Sequence, residues 1–287
     1  MERAAAFVRL IRPQNCLMMG FAVVIGAALA SVKSLNASWL NLIFGFLTGF
    51  LLTAASMAIN DYSDRETDSI NEPKRPIPSG TIKPREALGL AFVLTSAGFL
   101  AAYLTSPSAR TQCLLTAIIS WLVSMAYTTR GKRSGLVGNF LVSACVAIPF
   151  IYGSIAVRGV VEPNVLVFVL IAFLSNTGRE ITKGIVDVQG DRLTNTRTVA
   201  VGYGERSAAI AAVVFYFSAV ALSLAPWVMG LVSVWFVPFA ALTDLGLVVC
   251  SIMLLNDYSR ENARKVKNRV LFVLIFGLLA FFVGVYL

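Results

Sequence analysis

Six oxygen-bearing side chains stand out by type and spacing: Asn60, Asp61, Asp64 and Asp68 follow one apolar run, and Asp187 and Asp191 follow another. If the first run stays helical, at ~100° per residue Asn60, Asp64, Asp68 and Asp61 fall near roughly 0°, 40°, 80° and 100°. They then share about a quarter of the helix surface. Asp187 and Asp191, four positions apart, stack on one face, and Lys183 lies one turn before them. Like charges at that spacing repel, so a cation is needed to keep them together. An all-oxygen set without His or Cys points to Mg²⁺, which takes one or two carboxylates, several waters and substrate phosphate oxygens. For either stretch alone, a solvated helix end where acids and bases merely pair is the alternative. Two such stretches, 126 residues apart and each closing an apolar span, favour the metal and suggest two similar halves, about 1–130 and 131–287, of one domain.

These residues have to be positioned by membrane helices. Of 287 residues, 57% are hydrophobic and 14% charged, against roughly 25% charged in an average soluble domain, and mean hydropathy is +0.77. Runs long enough to cross about 30 Å of hydrocarbon recur throughout. A soluble enzyme, a disulfide scaffold and a nucleic-acid partner are excluded despite the pI of 9.7. No histidine is present, so imidazole bases and ligands are excluded as well. The four cysteines lie in separate apolar runs and read as buried, inert thiols.

The fold class is therefore all-α. Nine transmembrane helices are predicted, at about 14–32, 38–60, 86–105, 111–128, 136–157, 164–186, 207–225, 230–256 and 269–287. The first could be mistaken for a signal peptide, but many similar runs follow it and it reads as a span. With nine spans, 21 of the 24 Lys and Arg fall on the side of the amino tail, leaving Lys33, Arg110 and Arg158 opposite. The amino tail and long loops are then cytoplasmic and the carboxyl terminus is outside. Thirteen of the 15 carboxylates share the basic side, which lipid attraction does not explain but a metal bound to a polyanion does. The two exceptions are Glu162, which is outside, and Asp244, which is inside a span. Between the second and third spans, Pro73, Pro76 and Pro78 stiffen the loop carrying Lys74 and Arg75, which can then lie against the acidic helix or serve as a plain connector. Asn256-Asp257-Tyr258-Ser259 repeats the start of the first acidic stretch, but Arg260 and Arg264 stand at the next ligand positions, so it reads as a helix end.

Asn60 to Gly80, read as NDxxDxxxD followed by INEPKRPIPSG, resembles the first signature of the UbiA-type intramembrane prenyltransferases. Gly178-Arg179-Glu180-Ile181-Thr182-Lys183 through Asp187 and Gly190-Asp191 resembles their second. The order of spans and Arg12-Pro13-Gln14-Asn15 agree, so the resemblance covers essentially the whole chain. Within the family, the second stretch is most similar to archaeal digeranylgeranylglyceryl phosphate synthases; the INEPKRPIPSG stretch is similar to chlorophyll synthases too.

The resemblance implies a helix bundle around a prenyl-binding cavity and Mg²⁺-dependent transfer of a prenyl group, geranylgeranyl above all, from its diphosphate to a lipid acceptor. Two Mg²⁺ ions would bridge the diphosphate between Asn60, Asp61, Asp64 and Asp68 and Asp187 and Asp191, with Asp64, Asp68, Asp187 and Asp191 catalytic. Arg12, Asn15, Arg65, Lys74, Arg75, Lys132 and Lys183 are the implied substrate-binding residues. The implied partners are the prenyl diphosphate, a lipid-like acceptor such as geranylgeranylglyceryl phosphate, and the bilayer, with no protein partner. Arg130 could also meet an acceptor anion. Prenylation of an aromatic or tetrapyrrole acceptor remains open, as does a cation-coupled transporter, whose acids would usually lie nearer the midplane.

Overall fold

The computed structural model describes residues 2–31, 39–129, 131–193 and 196–287. The helices in chain order are α1 (Glu2–Ile11), α2 (Pro13–Ala30), α3 (Trp39–Ser63), α4 (Arg65–Asn71), α5 (Pro84–Thr105), α6 (Arg110–Thr129), α7 (Leu136–Arg158), α8 (Pro163–Leu193), α9 (Val199–Tyr203), α10 (Glu205–Ser223), α11 (Ala225–Val228), α12 (Phe236–Asn256) and α13 (Arg260–Tyr286). Among the described residues, nine helical segments are long and apolar enough to cross a membrane, α10 and α11 forming one of them. This is a multi-pass membrane protein, all-α as expected. Large apolar side chains such as Phe92, Val93 and Phe272 are exposed, as lipid-facing positions require. Lys33 and Arg130 lie outside the described residues.

Several boundaries differ from those predicted. The amino tail is itself helical: α1 buries Ala6 and Leu10, while Arg3 pairs with Glu86 at 2.6 Å. Helix α8 runs through Leu193, beyond the expected end near 186, so both of its aspartates are helical. Helix α12 starts at Phe236 instead of 230, because Gly230 turns the chain with φ 67° after α11. Helix α13 starts nine residues earlier than expected, at Arg260, where the Ser259 side chain accepts the Asn262 N–H as N-cap.

The chain divides into two compact units, residues 1–129 with 148–161, and 130–147 with 162–287. Helix α7 passes from one to the other at Ile148, one residue before its internal Pro149.

In the first unit, α3 packs against α2, α5 and α6. Lipid supplies no hydrophobic drive between helices, so close backbone approach and internal hydrogen bonds matter more. A Cβ on Gly26 would collide with the Phe150 backbone, and one on Gly153 with the Val23 backbone, so only glycine fits where α2 meets the end of α7. Tyr152 shares a 2.8 Å hydrogen bond with Thr105 within the same core. A smaller apolar cluster of Ala6, Leu10, Ala58, Ile77, Ile82, Ala87 and Ala91 clamps α1 and the loop after α4 onto α3 and α5.

In the second unit, Ile181, Ile185 and Val188 of α8 pack on Ala208, Ala212 and Tyr216 of α10, with Leu247 and Leu254 of α12 and Val266 and Val270 of α13 completing the core. Gly178 lets Tyr216 lie against α8, and the tyrosine hydroxyl meets Thr182 Oγ1 at 3.0 Å. These contacts fix which side of α8 is buried. Its polar stripe is on the other side.

Candidate active site

The first acidic stretch lies where α3 gives way to α4. The expected continuous helix is interrupted: Asp64 has φ −90° and ψ 0°, between the two helices. The hydrogen-bond register nevertheless persists, Asp64 N–H to Asn60 O at 2.9 Å and Asp68 N–H to Asp64 O at 2.8 Å, so the polar side chains keep approximately the spacing of one helix. Asn60 Nδ2 donates to Asp64 Oδ2 at 3.1 Å.

Asp61 is almost wholly buried, and two cations compensate it. Arg12 Nη2 lies 2.6 Å from Asp61 Oδ1, and Arg75 Nη1 lies 3.6 Å from the same oxygen and 2.6 Å from Asp68 Oδ2. One guanidinium therefore ties together the first and last aspartates of the stretch.

Each arginine is held by backbone geometry. Arg12 separates α1 from α2 with φ 50°, and among the described residues it is the sole non-glycine with positive φ. Pro13 disfavours the right-handed α region at the residue before it, and the left-handed alternative costs roughly 1–2 kcal/mol. Arg75 belongs to the proline-rich loop, where Arg75 N–H bonds to Glu72 O at 2.9 Å, Ser79 N–H to Arg75 O at 3.0 Å and Ile82 N–H to Pro76 O at 2.9 Å. With Ile77 and Ile82 buried, this segment is an anchored strap holding Arg75 against the acidic helix.

The remaining candidates of this unit divide. Asn15 joins Arg12 at the sulfur of Met57, each donating at 3.8 Å. Arg65 stacks on Tyr62, 4.6 Å from the ring centre, and pairs with Glu66 at 3.3 Å. Lys74 is exposed.

In the second unit, Asp187 is exposed and Asp191 half-buried near the end of α8. Arg260 braces this turn, its Nε donating to Val186 O at 3.0 Å and Nη1 to Gln189 Oε1 at 3.4 Å. Lys132 is half-buried in a 3-10 turn, Gly131–Arg133, beside the segment tied to the one following α8 by the bridge from Ser134 to Arg197. Lys183 Nζ lies 3.5 Å from Glu180 Oε2.

Among the described residues no three acidic or cysteine side chains converge as a closed metal cage. Asn60, Asp64 and Asp68 on one unit, the last of them buried and paired with Arg75, and Asp187 and Asp191 on the other, are hard oxygen donors that form no closed cage. Such sets fit Mg²⁺, which prefers to keep waters and substrate oxygens over an all-protein shell.

Residues 19–283 match the UbiA prenyltransferase family. A digeranylgeranylglyceryl phosphate synthase of Archaeoglobus fulgidus is 36% identical over 281 residues, 96% of this chain and 94% of the relative. The chain belongs to the UbiA prenyltransferase family. As a member of it, the chain also aligns with a solved structure from work on digeranylgeranylglyceryl phosphate synthase in membranes, with TM-score 0.84, 29% identity and 99% of both chains covered. A UbiA homologue of Archaeoglobus fulgidus bound to GPP and Mg²⁺ shares the fold, with TM-score 0.71 and 17% identity over 96% of this chain and 99% of that one.

Two further charged residues of this UbiA-family chain, Arg179 and Glu180, lie in its second signature. Arg179 Nη1 lies 2.9 Å from Glu180 Oε1. A charged pair within a membrane span is costly, which makes these two residues candidates for a functional position.

Proposed function

We propose that this protein transfers a geranylgeranyl group from its diphosphate to geranylgeranylglyceryl phosphate, making the second ether bond of an archaeal-type membrane lipid. The observation that carries this reading is the likeness, over 94% of the relative's length, to a digeranylgeranylglyceryl phosphate synthase. The acid–base geometry supplies its chemistry.

Asn60, Asp64 and Asp68, with Asp187 and Asp191, would hold two Mg²⁺ ions on the diphosphate. Bound there, the ions neutralise the leaving group and draw electron density toward it. Asp61 already has Arg12 and Arg75 as counter-ions, and its proposed part is to anchor these two beside the ligands. Arg65, Lys74 and Lys132 are the proposed cations for the departing diphosphate. When the bond between C1 of the prenyl chain and the diphosphate oxygen breaks, the oxygen keeps the electron pair and C1 becomes an allylic cation. The acceptor hydroxyl oxygen bonds to C1, and its proton passes to an aspartate carboxylate or to the diphosphate. So strong an electrophile needs no imidazole base, in keeping with a chain that has no histidine.

The whole chain acts as one catalytic domain in this reading, with the prenyl tail in a cavity among the apolar helices. The distribution of Lys and Arg supports a cytoplasmic amino terminus and catalytic end, with the carboxyl terminus outside.

The test is release of pyrophosphate from geranylgeranyl diphosphate by detergent-solubilised protein, with and without Mg²⁺, across a panel of acceptors. Mg²⁺-dependent release with geranylgeranylglyceryl phosphate is expected. Release only with an aromatic or tetrapyrrole acceptor would overturn the acceptor assignment.

A further inference from the structure

Along α8 the polar side chains form a stripe that begins well inside the apolar layer. At ~100° per residue from Arg179, Lys183, Asn176, Asp187, Glu180 and Asp191 fall near roughly 40°, 60°, 80°, 100° and 120°. The opposite side is the one that Ile181, Ile185 and Val188 bury in the core. Counting ~1.5 Å per residue from Pro163, Arg179 lies about 24 Å along the helix, within the ~30 Å hydrocarbon layer, and the two aspartates lie beyond it.

The stripe changes sign along its length. Asp187 and Asp191 are at its end, and Arg179, Glu180 and Lys183 precede them. Glu180, with a side chain only 10% exposed, pairs through Oε1 with Arg179 and through Oε2 with Lys183. Two cations thus meet one carboxylate at a depth where charged side chains are costly. Arg179 Nε is buried and has no hydrogen-bond acceptor among the described residues. A guanidinium with an open N–H edge is the group that grips a phosphate through two parallel hydrogen bonds.

We propose that Arg179, with Lys183 and oriented by Glu180, binds the phosphate of the lipid acceptor, apart from the diphosphate at the aspartates. This rests on the function proposed above and names the group in that site that selects a phosphorylated acceptor. Position along α8 separates the two anions. Arg179 and Asp187 are eight residues apart, about 12 Å along the axis, and helical side chains lean toward the amino terminus, which carries the Arg179 head farther from Asp187. A single diphosphate on the aspartates does not span that interval, whereas an acceptor lying deeper in the layer brings its own anion to Arg179. Glu180 is a positioning residue here. It holds both cations and touches no substrate.

Initial rates with geranylgeranyl diphosphate and geranylgeranylglyceryl phosphate test the assignment in the purified protein. Arg179→Gln should raise the acceptor KM at least tenfold and leave the prenyl diphosphate KM within twofold. Arg179→Lys, which keeps the charge and loses the fork, should raise the acceptor KM by a smaller factor, and it serves alone if the glutamine variant does not fold. With geranylgeranylglycerol, which has no phosphate, wild type and both variants should be equally slow. A rise confined to the prenyl diphosphate KM, or shared equally by both substrates, overturns the assignment while the function stands. Wild-type turnover only with acceptors that carry no phosphate overturns the acceptor reading, and this assignment with it.

Discussion

Arg12 and Asp61 meet at 2.6 Å, Nη2 to Oδ1, across 49 residues of sequence. The arginine adopts φ 50° at the junction of two helices, and the aspartate is 2% exposed on a third. Removing one partner leaves the other's charge poorly compensated, with Arg75 at 3.6 Å as the remaining cation for Asp61. Arg12→Gln should destabilise the first unit by about 2 kcal/mol, the scale of a lost hydrogen bond to a charged group. Thermal unfolding in detergent measures this. A double-mutant cycle with Asp61→Asn should be strongly non-additive, and simple additivity would show that the pair contributes no coupling.

Asp64→Ala and Asp191→Ala should each lower turnover by at least ~10²-fold, the usual cost of losing one transition-state charge stabiliser. Neither carboxylate belongs to the buried apolar cores, so both variants should purify normally. More than about a tenth of wild-type activity in either would remove that residue from the proposed ligand set.

Asp244 lies within α12, and its Oδ2 is 2.6 Å from Ser223 Oγ, which is also 2.8 Å from Val220 O. Ser223 Oγ donates to Asp244 Oδ2, and the amide oxygen of an asparagine can accept the same bond. Asp244→Asn should leave activity and unfolding temperature close to wild type. A hundredfold loss of activity in a folded variant would show that the negative charge takes part in the reaction.

The partial repeat at Asn256 to Ser259 ends α12 and starts α13. Asp257 Oδ1 accepts the Ser259 N–H at 2.8 Å and Oδ2 accepts the Ser259 hydroxyl at 3.0 Å, so both carboxylate oxygens serve the turn. Asp257→Asn should leave the Mg²⁺ concentration for half-maximal rate unchanged. A rise of several fold would make Asp257 a ligand.

Orientation is checked with a membrane-impermeant reagent on intact cells. The carboxyl terminus should react from outside, and Lys74 and Lys132 only after the membrane is opened. Labelling of Lys132 from outside would invert the proposed topology.

The spans, the two acidic stretches and the Mg²⁺ chemistry they suit were legible in the sequence, because each depends on local chemistry. A span is a run of apolar residues matched to bilayer thickness, and Asp187 stacks near Asp191 because helical spacing dictates it. What pairs with what was not legible. Arg12 and Arg75 were ambiguous basic residues until the apolar contacts of Ala6, Leu10, Ile77 and Ile82 brought α1 and the proline loop against α3. The break at Asp64 was hidden as well, since no residue in Tyr62-Ser63-Asp64-Arg65 is proline or glycine. Arg179 stands in a signature, and only packing buries its Nε without an acceptor among the described residues. Charge pairing of this kind depends on distances of a few ångströms between segments far apart in the chain, and those distances are set by how the helices pack.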